Sequence, residues 1–166
     1  MRTLHVTAAR AAPTDDVAAR ALTVAQRVAF GVLGDREAAR DVAQEVALVA
    51  VRRRGSLRDP RAFDGWVRRI AVRAALREAH KSRRRRAAED ARAATARPPH
   101  GVGLDDVLAL LDGLPARQRA ALTLRYVHDL TDAEIARALR CRPATVRSLL
   151  ARGRDAVRSR IEEERC

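Results

Sequence analysis

The chain has 166 residues, 47% of them hydrophobic, and carries a formal net charge of +13. That length suits one domain or two small ones, and the hydrophobic content excludes wholesale disorder. Aromatic residues make up only 2%, so the cores have to be built from Ala, Val and Leu, a composition that predicts helices throughout.

Residues 1–13 carry little pattern and read as a loose tail. A helix is predicted from Thr14, with Val17, Ala21, Val24 and Val28 on one face, stopping near Gly34-Asp35. A second is predicted from about Arg36 to Arg53, with Ala39, Val42, Val46 and Val49 inward. Its opposite face shows Asp41, Gln44 and Glu45, which by themselves read as a solvated helix surface. A basic loop follows, Arg52 to Pro60. Asp59 then caps a third helix with Pro60 at its first position. Phe63, Trp66, Val67, Ile70 and Ala74 form the apolar stripe of that helix. Phe63 and Trp66 suit a core anchor, and either also suits stacking on an unpaired base. Arg68, Arg69, Arg73 and Arg77 lie on the same helix, which runs into the block Lys81–Arg86.

Between about 83 and 103 the composition becomes Arg- and Ala-rich, then Pro- and Gly-rich, as expected of a flexible basic linker. A short helix is expected from Leu104 to Leu111. Another should start at Leu114-Pro115 and reach about Val127, burying Ala121, Leu122 and Leu124.

The strongest local signal comes next, at Thr131–Arg154. Thr131 with Glu134 three positions on is a capping box. Ile135, Ala136 and Leu139 fall on one face, Cys141 lies in a short turn, and Pro143 stands where a first helical residue is tolerated. Val146, Leu149 and Leu150 give the following helix its inward stripe. This is the helix-turn-helix pattern, whose second helix enters the DNA major groove. Arg142, Thr145, Arg147, Ser148, Arg152 and Arg154 point outward, as groups suited to guanine edges and phosphates.

Charge is segregated in the same sense. Residues 51–100 hold sixteen Lys+Arg against five acids, and seven of the later arginines fall between Arg140 and Arg160. A polyanion is the natural partner of such a chain. No apolar run approaches the length of a membrane span, and the start lacks a signal-peptide core, so a cytoplasmic protein without membrane insertion is expected. The histidines His5, His80, His100 and His128 are scattered, and Cys141 and Cys166 are the only cysteines, so no metal set is expected. Without a phosphate-binding glycine loop or a nucleophile triad, neither catalytic residues nor a cofactor are expected.

Two separated segments, in this order, resemble the small extracytoplasmic-function group of sigma-70 family RNA polymerase sigma factors. LPARQRAALTLRYVHDLTDAEIARALRCRPATVRSLLARGR is similar to that family's region 4, which recognises the −35 promoter element. LGDREAARDVAQEVALVAVRRRGSLRDPRAFDGWVRRIA is similar to region 2. The resemblance implies an all-α protein of two small domains, at 14–82 and 104–166, joined by a linker at 83–103. It implies binding to core RNA polymerase, through the clamp coiled coil of the largest subunit and the flap of the second-largest, and to promoter DNA. An anti-sigma protein is a further implied partner.

Carried over residue by residue, Asp41, Gln44 and Glu45 match the clamp-docking positions. Arg54, Ser56, Arg58, Arg61, Phe63, Trp66, Arg69 and Arg73 fall in the region that captures the −10 strand. Arg147, Ser148, Ala151 and Arg152 match base-facing positions of the −35 reader, with Arg142 and Thr145 nearer the phosphates. The chain departs from the family pattern at several points. Arg40 replaces an acid, Ala47 an aromatic residue, Arg73 an Asn, Arg140 the turn Gly and Arg142 a capping Ser. Taken without the resemblance, the residues leave open a dimeric regulator acting through its helix-turn-helix, and an RNA-binding factor using Arg52–Arg86.

Overall fold

A computed structural model describes residues 13–89, 110–111 and 113–164. The expectations for the N-terminal tail, most of the linker, the helix from Leu104 and Cys166 lie outside the described residues. Among the described residues six α-helices follow in chain order: α1 (Pro13–Leu33), α2 (Arg36–Arg53), α3 (Phe63–Glu89), α4 (Ala116–Tyr126), α5 (Asp132–Leu139) and α6 (Pro143–Glu164). No strand occurs among the described residues.

The N-terminal module consists of α1, α2 and α3. Asp35 caps α2 by accepting from the backbone N–H groups of Glu37 and Ala38, at 2.9 and 3.2 Å. Inward positions are filled by small residues: Ala21, Ala25 and Ala29 on α1, Ala39, Ala43 and Ala50 on α2, Ala71 and Ala75 on α3, each fully buried. Side chains this short let helix axes approach closely, and Val28, Val32, Val46, Val67 and Val72 fill what remains. Asp59 caps as expected, but its first turn, Pro60–Ala62, is a 3-10 turn that passes directly into α3. At the far end α3 continues to Glu89, past the boundary at 82 drawn from composition. Arg- and Ala-rich sequence is strongly helix-forming, and Arg85 and Ser82 both bond Glu78 along that surface.

The described part of the C-terminal module comprises Leu110–Leu111 and α4, α5 and α6. Pro115 opens α4, whose Ala120, Ala121, Leu122 and Leu124 are buried. Where α4 crosses α6, Gly153 is the contact: a Cβ there would stand 2.9 Å from Leu122 Cδ1. Ile135, Leu139, Val146, Leu149 and Leu150 complete this core.

The two modules pack against each other. Helix α1 meets α4, and α3 meets both α4 and α5, so that one apolar cluster runs without interruption from Ala21 to Leu150. At the first crossing Gly31 lies against Thr123, and Thr123 Oγ1 donates to the Gly31 carbonyl at 3.0 Å. A Cβ on Gly31 would fall 2.3 Å from Thr123 Cγ2, so this approach requires glycine.

Candidate nucleic-acid interface

The capping box forms as its sequence demands. Glu134 N–H donates to Thr131 Oγ1 at 3.4 Å, and Thr131 N–H donates to Glu134 Oε2 at 2.9 Å. The Thr131 hydroxyl also donates to Glu134 Oε2 at 2.7 Å, and this bond first, then that from the Thr131 N–H, holds the Glu134 carboxyl below its usual range. Arg125 on α4 pairs with Asp132, which ties the start of α5 to the preceding helix. Helix α5 spans only eight residues and ends at Arg140 with φ 52° and ψ 54°, the left-handed conformation that usually calls for glycine. Cys141 N–H returns to the Ala136 carbonyl at 3.0 Å. At Arg142 the carbonyl receives the N–H groups of Thr145 and Val146, and α6 departs with Pro143 at its first position.

This geometry sets the first half of α6 with one side in the core and one side free. Val146, Leu149 and Leu150 are buried, while Arg142, Thr145, Arg147, Ser148 and Arg152 are exposed together on the opposite side. Ala151 is half-buried at the border of that face. Ser148 Oγ donates to the Ala144 carbonyl at 3.1 Å, and Arg152 Nε to the Ser148 carbonyl at 3.3 Å. Both side chains lie along the helix with their remaining polar capacity facing outward. Arg154 is set apart. It borders a groove of about 500 Å³ lined by Leu110, Leu122, Tyr126, Val157 and Ile161.

Among the N-terminal positions, Arg54, Ser56, Arg58 and Arg61 are exposed on the loop between α2 and α3. Ser56 Oγ donates to the Arg53 carbonyl at 2.7 Å, which tightens the 3-10 turn at Arg54–Ser56. Phe63 is buried, 7% exposed, with its ring centroid 6.0 Å from that of Trp66 and the Arg20 guanidinium 5.3 Å above it. Arg20 also pairs with Asp64 at 2.8 Å. The structure therefore gives Phe63 the core-anchor role, and leaves Trp66 half-exposed at the head of α3 beside Arg69. Arg73 turns away from the loop altogether: its Nε donates to the Ala138 carbonyl at 3.1 Å and a terminal nitrogen to the Arg137 carbonyl at 2.8 Å, both on α5. Burial, and then the nearby charges of Arg140 and Arg69, lower its pKa.

Asp41, Gln44 and Glu45 are all exposed on α2. Sequence reasoning missed Leu48, which lies on the same helical face and is 59% exposed. The signal available was an apolar residue falling off the inward stripe. Ala47, by contrast, is buried in the core.

The described structure thus contains a helix-turn-helix with an arginine face, and a second helical module with a basic loop and a separate acidic and amide patch. Together they define a bipartite helical DNA-binding protein. Comparison with known proteins agrees. The family profile for Sigma-70 region 2 matches residues 17–86, and that for Sigma-70, region 4 matches residues 104–157. The RNA polymerase sigma-H factor of Pseudomonas aeruginosa is 32% identical over 140 residues, covering 74% of this chain and 72% of that protein. The ECF RNA polymerase sigma-E factor of Escherichia coli K12 is 31% identical over 139 residues, covering 74% and 73%. Among solved structures, the sigma factor RpoE of Bartonella quintana, in complex with the anti-sigma factor NepR, superposes with a TM-score of 0.71 at 20% identity. It covers 89% of this chain and 96% of that one. CnrH, in complex with the cytosolic domain of CnrY, gives a TM-score of 0.63 at 19% identity, covering 90% and 88%. The chain belongs to the sigma-70 family, in its extracytoplasmic-function group, and is a sigma factor.

Proposed function

We propose that this sigma factor docks on core RNA polymerase with the exposed face of α2 and reads the −35 element with the first half of α6. Asp41, Gln44 and Glu45 supply charge and amide contacts around Leu48, an apolar centre framed by polar groups, and together meet the clamp coiled coil of the largest subunit. The groove bordered by Tyr126 and Ile161, both exposed apolar side chains, receives the flap of the second-largest subunit. Arg147, Ser148, Ala151 and Arg152 face the −35 bases, with Arg142 and Thr145 on the phosphates.

The loop carrying Arg54, Ser56, Arg58 and Arg61, with Trp66 and Arg69 at the head of α3, takes the opened −10 strand. Unstacking a base costs a few kcal/mol, which aromatic stacking and phosphate contacts offset. The protein performs no bond chemistry of its own and works in the cytoplasm, where polymerase and promoter are. The two halves, 14–82 and 104–166, act as separate weak binders whose spacing polymerase fixes, so their affinities multiply. An anti-sigma protein is the expected negative regulator, in keeping with the anti-sigma factor bound to the Bartonella quintana structural neighbour.

The observation that carries this reading is one chain holding both an arginine-faced helix-turn-helix and a distinct module with an acidic, leucine-centred patch. The test is reconstitution with core polymerase, followed by run-off transcription from fragments of the host genome. Stable holoenzyme and discrete new transcripts are expected. A duplex shifted tightly by the free protein, with no association to polymerase, would replace it with a self-sufficient regulator.

A further inference from the structure

Helix α5 leaves four carbonyls without intrahelical partners, those of Ala136, Arg137, Ala138 and Leu139. Two are satisfied within the C-terminal module or its turn. Ala136 accepts from Arg140 and Cys141, and Leu139 accepts from the Arg117 side chain on α4 at 3.2 Å. That accounts for Ala136 and Leu139 only after the turn has closed, and it leaves the middle pair. Arg137 and Ala138 are both capped by Arg73, which reaches across from α3, more than sixty residues earlier in the chain. A cation at a helix C-terminus also meets the negative end of the helix dipole.

The same contact holds a second strained element, since Arg140 ends α5 in the left-handed conformation, and its charge and that of Arg69 disfavour the charged form of Arg73. We propose that Arg73 is a latch: by finishing the cap of α5 from the other module, it holds the two halves of the free protein closed. Closure and promoter engagement exclude each other. The −35 and −10 elements lie about 25 base pairs apart, roughly 85 Å along the duplex. A compact chain of this length has a radius of gyration of about 15 Å. Two modules in direct contact cannot span that distance. The release has a chemical logic as well, because a DNA strand offers Arg73 full phosphate charges where α5 offers only the partial charge of a helix end, and the crowding by Arg69 and Arg140 favours the exchange.

The latch itself stands on the contacts; its place in initiation rests on the sigma factor reading, and the experiment separates them. Small-angle scattering is measured on the full chain for wild type, Arg73→Ala, Thr123→Ala and the double variant, with circular dichroism to establish that the modules remain folded. Arg77→Ala, an exposed arginine further along α3, is the charge-matched control. Gly31→Ala is an independent wedge, since its methyl would collide with Thr123. Wild type and Arg77→Ala should scatter as compact particles. Arg73→Ala should shift the closed-to-open ratio at least tenfold towards open, and the double variant should reach a radius of gyration of roughly 20 Å or more. If wild type is already extended, or if Gly31→Ala opens the chain while the double variant stays compact, the latch is overturned. Association with core polymerase is then timed. Opened variants should bind several-fold faster, by the fraction of molecules already competent. An open variant that binds no faster removes closure from the initiation pathway. If no form binds polymerase at all, the sigma assignment of function fails while the latch stands.

Discussion

Arg140 shows what a single side chain can cost. It holds a left-handed conformation, φ 52°, at the turn between α5 and α6, where a Cβ crowds the following carbonyl. Arg140→Gly removes that strain and relieves a guanidinium near Arg73. Stability against urea should rise by about 1 kcal/mol, less the larger chain entropy that glycine gives the unfolded state. An unchanged or lower midpoint would mean that the arginine makes a compensating contact. The residue was legible from sequence alone as an oddity, because a turn position lacking glycine is visible in any helix-turn-helix pattern. Its neighbour Arg73 was not. Nothing local distinguishes an arginine that faces a promoter from one that caps a helix sixty-odd residues away, and only the folded chain shows which carbonyls it reaches.

At the scale of the helix, the proposed function gives the start of α6 and the outer face of α2 separable tasks, so substitutions on them should fail differently. Arg147→Ala should lose about 1–3 kcal/mol of discrimination at the −35 element, read as relative transcription from matched and altered promoters, with polymerase binding intact. Asp41→Arg should do the reverse: weaker association with core polymerase and an unchanged far-UV spectrum, because Asp41 is exposed and supports no packing. Transcription insensitive to Asp41→Arg would remove that face from the docking surface. Helix ends were the most legible part of this fold. Asp59, Thr131 and Glu134 are short-range devices that cap the turns their sequence positions announce, while Asp35, read only as marking the end of α1, also caps α2. Phe63 was ambiguous because an aromatic at the head of a helix suits a core or a stacked base equally, and only Arg20 and Asp64, arriving from different helices, decide for the core. Leu48 went unread because its significance depends on being left uncovered.

For the molecule as a whole, the contact between modules makes stability depend on acid. His128, in the loop between α4 and α5, is largely buried, and burial together with Arg68 on α3 and Arg27 on α1 pushes its pKa down to about 4. Its unfolded value is about 6.5, so between pH 6.5 and 4 the unfolded chain binds the extra proton. The stability of the closed form is therefore full above about 6.5 and falls through that window by up to about 1.4 kcal/mol per pH unit. The depressed Glu134 carboxyl acts in the same direction at lower pH, since protonation weakens the capping box. Unfolding midpoints measured from pH 7 to 4 should decline, and His128→Gln should flatten the upper part of that decline. An equally steep profile in the variant would place the sensitivity elsewhere.

The scarcity of aromatic side chains also has an optical consequence. Trp66 is the only indole in the chain and stands half-exposed at the head of α3, with Phe63 beside it and Arg69 one turn on. Intrinsic tryptophan emission from this protein therefore reports one module and is silent on the other. Melting of the helix-turn-helix alone would pass unseen by tryptophan emission while circular dichroism recorded it. Conversely, a nucleobase stacking at the head of α3 would quench the whole signal of the sigma factor, so strand capture can be followed in real time without attaching a label.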